Sequence, residues 1–214
     1  MCFLMSKSVF TVHRRTQADR SAVTRKKIIE ATVLLLQTQG YAATTLQRIA
    51  KTAGVSLGAL QHHYPTKAQV MAMVLRHYAL RRAQLYRLAM RGRTLPEQRV
   101  EAMLDAMWSL VSEGPDFVAT VEIELARRSD PELAAATEPV LARIDQFMAG
   151  WLSGTRNGLP EQKFMTLRLL NTTFLRGMAV EISRGVSLDE LAEAYALWRH
   201  FSRSEIMKIV HQMS

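Results

Sequence analysis

The sequence of 214 residues holds a single cysteine, Cys2. One thiol excludes a disulfide framework and zinc ribbons built on four Cys or on Cys and His. Scarce cysteine also fits a reducing compartment. Cys2 has basic neighbours only at a distance, so an inert thiol is favoured over a redox sensor. Ten glycines and six prolines are scattered, which excludes collagen-like and low-complexity chains. Aromatic residues make up 7%, too few for base stacking to be the main binding mode. No apolar run approaches the ~18 residues that a membrane span requires. The apolar stretch Met1–Met5 precedes Lys7, whereas a secretory signal places its basic region first. A cytoplasmic protein without a membrane partner is expected, with Met1 and Met5 equally acceptable as starts.

Catalytic signatures are also missing. There is no G-x-S-x-G, no phosphate-binding GxxxxGK[ST], no H-E-x-x-H and no dinucleotide fingerprint. Glu122 and Glu124 lie two apart and would face different ways on a helix. His62 and His63 are adjacent, so on a helix their side chains diverge by about 100° and do not favour one ion. His77 has no Cys, His, Asp or Glu four residues away. No enzyme activity, cofactor or metal site is expected.

What is present is positive charge, unevenly placed. The composition, 48% hydrophobic and 22% charged, is that of a globular chain. The net charge is +9. Residues 1–93 carry 16 Lys and Arg against Asp19 and Glu30, a balance of +14. Residues 94–214 carry 12 against 17 acids, a balance of −5. This division points to a polyanion-binding part followed by a part with another task.

The positive part reads as capped helices. Residues 1–20 lack periodicity and form a flexible basic arm, either merely solvated or touching DNA. A first helix is expected over residues 22–39, with Ile28, Thr32, Leu35 and Leu36 on one face. Arg25, Lys26 and Lys27 near its start oppose the helix dipole, which anion contact would explain. Gly40 stands where a helix-ending glycine belongs. Thr44 and Gln47 are spaced as a capping box for a short second helix, followed by a turn at Gly54. Ser56 caps a third helix over Leu57–Tyr64, with Val55 and Leu60 at staple spacing. Thr66 and Gln69 form another capping box, opening a fourth helix that runs to about Gly92. Two short helices joined by a tight glycine turn are a helix-turn-helix. Ile49, Ala50, Val55, Leu60 and Tyr64 are its expected core.

The stretch from Thr24 to Tyr78, TRKKIIEATVLLLQTQGYAATTLQRIAKTAGVSLGALQHHYPTKAQVMAMVLRHY, resembles the N-terminal domain of the TetR family of bacterial transcriptional regulators. The resemblance implies an all-α fold, with a three-helix DNA-binding head at residues 21–67 on a helical ligand-binding and dimerisation body at residues 68–214. It implies that the third helix enters the major groove. Thr44, Thr45 and Lys67 match positions that meet phosphates. Gln47, Arg48, Gly58, Ala59, Gln61 and His62 match positions at or near the groove, and Ser56, Leu57 and His63 complete the expected DNA-facing set. Gln61 departs from the family, which usually carries an aromatic there. It would read adenine through a bidentate amide or serve as a neutral replacement at a phosphate.

The body reads as five more helices, starting near Pro96, Asp116, Asp130, Pro160 and Ser187. Gly114-Pro115, the polar loop at Ser153–Gly158 and Gly185 separate them. Asp130 precedes Pro131 as a cap precedes a first-turn proline, and Ser187 with Glu190 forms a capping box. The basic run Arg76, Arg81, Arg82, Arg87, Arg91 and Arg93 would be a membrane-facing or, more commonly, a solvated face. Twelve methionines suit irregular apolar cavities. Met103, Met107, Trp108, Phe117, Val121, Phe147, Met148, Trp151, Phe174 and Met178 are expected to line a ligand pocket or, equally, to form core. With no evident cluster of opposite charges, the expected ligand is apolar or amphipathic. The resemblance implies pairing of the last two helices across a homodimer. Leu170, Phe174, Leu175, Met178, Leu191, Ala194, Tyr195 and Trp198 match its positions, with intramolecular packing the alternative.

The expected function is a dimeric transcriptional regulator, a repressor released from a palindromic double-stranded DNA operator by a small-molecule effector. The rivals are a non-inducible architectural DNA-binding protein and a small enzyme.

Overall fold

The computed structural model describes residues 16–112, 116–153 and 161–211. Among these, all regular structure is helical: α1 (Gln17–Ala43), α2 (Leu46–Ala53), α3 (Leu57–His63), α4 (Lys67–Met90), α5 (Pro96–Ser112), α6 (Asp116–Ala126), α7 (Pro131–Ser153), α8 (Glu161–Ser183) and α9 (Leu188–His211). The expected all-α architecture is observed. Residues 1–15 of the expected arm, the Gly114-Pro115 break and the loop at 154–158 lie outside the described residues.

Two expectations about the head are corrected. The first helix begins at Gln17, because Thr16 and Asp19 form a capping box with the Asp19 amide donating to Thr16 Oγ1 at 3.1 Å. Arg25, Lys26 and Lys27 therefore lie two turns inside α1, and an acid, Asp19, occupies the first turn. No unfavourable dipole contact remains to be explained there. The cap of α2 is Thr45, whose Oγ1 accepts from the Arg48 amide at 3.3 Å. Thr44 is instead fully buried and donates from Oγ1 to the Gly40 carbonyl at 2.8 Å.

Other caps stand as read. Ser56 Oγ accepts from the Ala59 amide at 3.1 Å, and Thr66 Oγ1 from the Gln69 amide at 3.3 Å. Ser187 Oγ accepts from the Glu190 amide at 3.2 Å while Glu190 reaches back to the Ser187 amide. Asp130 Oδ1 accepts from the Leu133 amide at 2.9 Å and starts α7. Each satisfies a donor that a helix N-terminus leaves orphaned.

Two apolar clusters form the core. The first contains Ile28 and Leu36 of α1, Ile49 of α2, Leu60 of α3 and Met71 and Val74 of α4, and continues into Ala119 and Ile123 of α6 and Leu133 of α7. The head thus shares its core with the body. The second joins α4, α5, α6, α8 and α9 through residues including Tyr86, Leu104, Val118, Leu175 and Tyr195. Arg199 and Arg203 of α9 pair with Glu101 of α5, and Tyr195 donates to the Leu104 carbonyl. No helix among the described residues is long and apolar enough to cross a membrane.

Candidate nucleic-acid interface and ligand cavity

The turn between α2 and α3 is built on Gly54, at φ 65° and ψ 38°. This left-handed conformation is one that a side chain resists. The Gly54 amide donates to the Lys51 carbonyl at 3.2 Å, and the Val55 amide donates to the Ala50 carbonyl at 3.0 Å. Ile49, Ala50, Ala53 and Leu60 are buried. That leaves Thr45, Gln47, Arg48, Lys51, Ser56, Gly58, Ala59, Gln61 and His62 exposed, with Leu57 and His63 half-buried. Burial and the mounting of α3 therefore turn outward most of the residues expected to face DNA.

Thr44 and Lys67 are placed differently. Thr44 spends its hydroxyl on Gly40 and its amide on the Tyr41 carbonyl, at 3.1 Å. Both of its donors are thus engaged within the head, and its side chain is fully buried. Lys67 Nζ donates to the Tyr41 carbonyl at 2.7 Å and lies 3.6 Å from the centre of the Tyr41 ring. Partial burial lowers its pKa. Lys67 thereby ties the start of α4 to the end of α1. Arg48 Nη1 donates to Gln39 Oε1 at 2.7 Å and to the Ala43 carbonyl at 3.1 Å. The His63 pKa is lowered first by desolvation, then by the neighbouring His62 and Arg25. The imidazole is thereby biased toward its neutral form. No group of three His, Cys, Asp or Glu among the described residues is arranged to hold a metal.

The body contains a cavity of about 910 Å³, within the range of small-molecule sites. Met103, Met107, Phe117 and Val121 line it. Trp108, Phe174 and Met178 do not. Trp108 packs on Tyr195 with ring centres 5.0 Å apart, Phe174 stacks on Trp198 at 4.4 Å, and Met178 is buried in the second core cluster. The side chains of Phe147, Met148 and Trp151 lie outside the described residues. The wall also carries charges that the sequence pattern did not reveal. Arg176 pairs with Glu124 at 2.5 Å and Arg168 pairs with Asp145. These partners are far apart in sequence and meet only through packing. Arg82, expected on a solvated face, is half-buried in the same wall. One local signal was available: Asn171 interrupts an apolar stretch of α8 and is 6% exposed.

Known proteins match this arrangement. The family model for bacterial regulatory proteins of the tetR family matches residues 28–74. An uncharacterized HTH-type transcriptional regulator of Mycobacterium bovis is 30% identical over 177 residues, covering 80% of this chain and 88% of that protein. The chain belongs to the TetR family. It is a DNA-binding transcriptional regulator of that family. The HTH-type transcriptional repressor KstR of Mycobacterium tuberculosis is 24% identical over 171 residues, covering 79% of this chain and 76% of that protein. A TetR transcription regulator from Haloarcula marismortui has the same fold, with a TM-score of 0.65 and 22% identity over 90% of this chain and 98% of that one.

In this TetR-family chain the head is fastened to the wall of the cavity. α1 kinks at Gly40, at φ 73° and ψ 177°. Just beyond the kink the Tyr41 amide donates to Glu122 Oε2 at 3.1 Å, and the Tyr41 hydroxyl donates to Asp130 Oδ2 at 2.5 Å. Tyr41 is raised well above its ordinary pKa, by burial first and then by Asp130. Asp130 is lowered, by the Tyr41 hydroxyl first and the Leu133 amide second. Glu122 sits on α6 between Val121 and Glu124, both of which line the cavity. These head-to-body contacts join residues about eighty positions apart, so no local periodicity announces them.

Proposed function

We propose that the chain is a dimeric repressor whose α2–α3 unit docks on a palindromic operator, and that a small apolar or amphipathic effector in the body cavity releases it. The head would comprise residues 21–67, with residues 1–20 as a basic arm, and the body residues 68–214. The observation that carries this reading is the double role of α6. Thr120, Val121 and Glu124 wall the cavity, while Glu122 holds the Tyr41 amide of the head. An effector that shifts α6 would shift the head, a bias between two states. A non-inducible architectural protein would need no such cavity.

For DNA contact, the exposed Thr45, Gln47, Arg48, Ser56, Gly58, Ala59, Gln61 and His62 support the docking, with Leu57 and His63 at its edge. Lys67 keeps further N–H donors for a phosphate beside its bond to Tyr41. For dimerisation, α8 and α9 expose Leu169 at 63%, Leu197 at 61% and Phe201 at 61%. Leu197 and Phe201 stand four apart on one face of α9, and an exposed apolar face of this kind suits a protein interface. Leu170 and Ala194 are exposed too, whereas Leu175, Met178, Leu191 and Tyr195 are buried within the subunit. A two-fold dimer would place two α3 helices in half-sites about one helical turn apart or a multiple of it.

The test is duplex-DNA binding as salt is raised, on fragments selected by the protein from genomic DNA. Affinity should fall steeply with salt, as counterions are released from several phosphates. Lys67→Ala should weaken all sequences alike, and Gln61→Ala should change the sequence preference. Failure to bind duplex DNA at low salt would sink the reading.

A further inference from the structure

The charges on the cavity wall narrow the chemistry of its ligand. Among the described residues five arginines line it, Arg82, Arg99, Arg127, Arg168 and Arg176, against two acids, Glu124 and Asp145. Three of the arginines are already neutralised. Arg127 pairs with Glu138, Arg168 with Asp145 and Arg176 with Glu124. Both of these carboxylates are thereby used, so a cationic ligand finds no free counter-charge among the described residues. Arg82 and Arg99 pair with no carboxylate among the described residues, and both are half-buried. A partly desolvated guanidinium without a partner favours an anion.

A tyrosine ring stands beside one of these cations. The Arg82 guanidinium carbon lies 5.9 Å from the centre of the Tyr78 ring. Tyr78 lines the cavity, is 7% exposed, and its hydroxyl has no hydrogen-bond partner among the described residues. Burial raises its pKa, so the group stays protonated and able to donate. A buried hydroxyl left unmatched is costly, and an acceptor on a ligand would relieve that cost. The rest of the described wall is mostly apolar, with Leu75, Met103, Met107, Phe117 and Val121 among its residues beside Thr120, Thr172 and Thr173.

We infer that the cavity is selective for an apolar molecule ending in a single carboxylate, held by Arg82 with Tyr78 as a hydrogen-bond donor. A single carboxylate, unlike the several phosphates of a nucleotide, needs no more than one free guanidinium. The inference rests on the effector-binding reading of the cavity and specifies the class of effector.

Calorimetric titration of the full chain with three probes on one skeleton, decanoate, decan-1-ol and decylamine, tests it. Decanoate should bind about tenfold more tightly than either of the others, the effect of one charge-assisted contact. Arg82→Gln should bring decanoate down to the level of decanol and leave decanol unchanged, and Arg82→Lys should keep most of the preference. Tyr78→Phe should weaken decanoate several-fold and decanol little. Should Arg82→Gln not fold, salt decides with the unaltered chain: it should weaken decanoate and spare decanol. Equal binding of acid and alcohol, tighter binding of the amine, or an equal loss of acid and alcohol in Arg82→Gln overturns the inference. If the neutral alcohol binds as well as the acid and displaces DNA, the effector reading survives while the carboxylate assignment fails. If no probe binds or displaces DNA, both fall.

Discussion

The Tyr41 amide donates to Glu122 Oε2 at 3.1 Å, so the end of the head's first helix is held by a side chain of the helix that walls the cavity. Removing that acceptor leaves a half-buried amide unsatisfied. Glu122→Ala should cost about 1–3 kcal/mol in urea unfolding, whereas Glu122→Gln should keep most of the stability because its amide oxygen still accepts. Equal losses in the two variants would show that the bond is not what matters there.

Gly40 and Gly54 share a positive φ, 73° and 65°, but not their surroundings. A Cβ on Gly40 would meet Glu122 Oε2 at 3.3 Å, while one on Gly54 would meet nothing within 4 Å. Gly54→Ala should cost about 1–2 kcal/mol for the left-handed backbone alone. Gly40→Ala should cost more, because Glu122 must also give way. Thermal melts of the two variants check the order.

Asp130 gives a pH dependence of known sign. Its pKa is depressed in the folded state, principally by the Tyr41 hydroxyl. Its contribution is complete above the ordinary aspartate value of about 3.9 and is lost as pH falls through the lower folded value. Tyr41→Phe should therefore flatten the decline of stability on the acid side and cost about 1 kcal/mol at neutral pH. Urea midpoints measured from roughly pH 2 to 6 provide the comparison. An unchanged acid limb would count against the pair.

Thr44 and Thr45 are adjacent but should respond differently. Thr45→Ala removes the cap of α2, costing about 1 kcal/mol, and should weaken DNA binding at every salt concentration. Thr44→Ala removes a fully buried side chain and should lower stability while leaving the DNA affinity of the folded protein unchanged. Weaker DNA binding by folded Thr44→Ala would place its hydroxyl at a phosphate.

The exposed Leu197 and Phe201 on α9 provide the test of assembly. Leu197→Glu with Phe201→Glu should shift the protein to monomers in sedimentation and reduce operator affinity sharply, since each half-site would then be bound alone. An unchanged mass would move the interface elsewhere.

Local chemistry made the head legible. Ser56, Thr66, Ser187 and Asp130 cap helices by bonds that span three residues, so they can be read from spacing. Gly40 and Gly54 likewise fall where the backbone leaves the α region. Adjacent candidates were harder to separate. Thr44 and Thr45 both suit a cap, and only the kink at Gly40 decides which hydroxyl faces inward. In the body, an apolar helical face looks the same whether it lines a cavity or fills a core. Phe117 and Met103 reached the cavity, while Trp108 packed against Tyr195 and Phe174 stacked on Trp198.

By itself, the sequence determined the all-α class, the capped helix-turn-helix and its concentrated positive charge, because caps, periodicity and charge balance are properties of neighbours along the chain. Tertiary structure alone decided which arginines of the cavity wall keep a free charge and how Tyr41 is clasped by Glu122, Asp130 and Lys67. Those contacts depend on the crossing of helices remote in sequence, and burial there sets both the strength of each charge and the partner it finds.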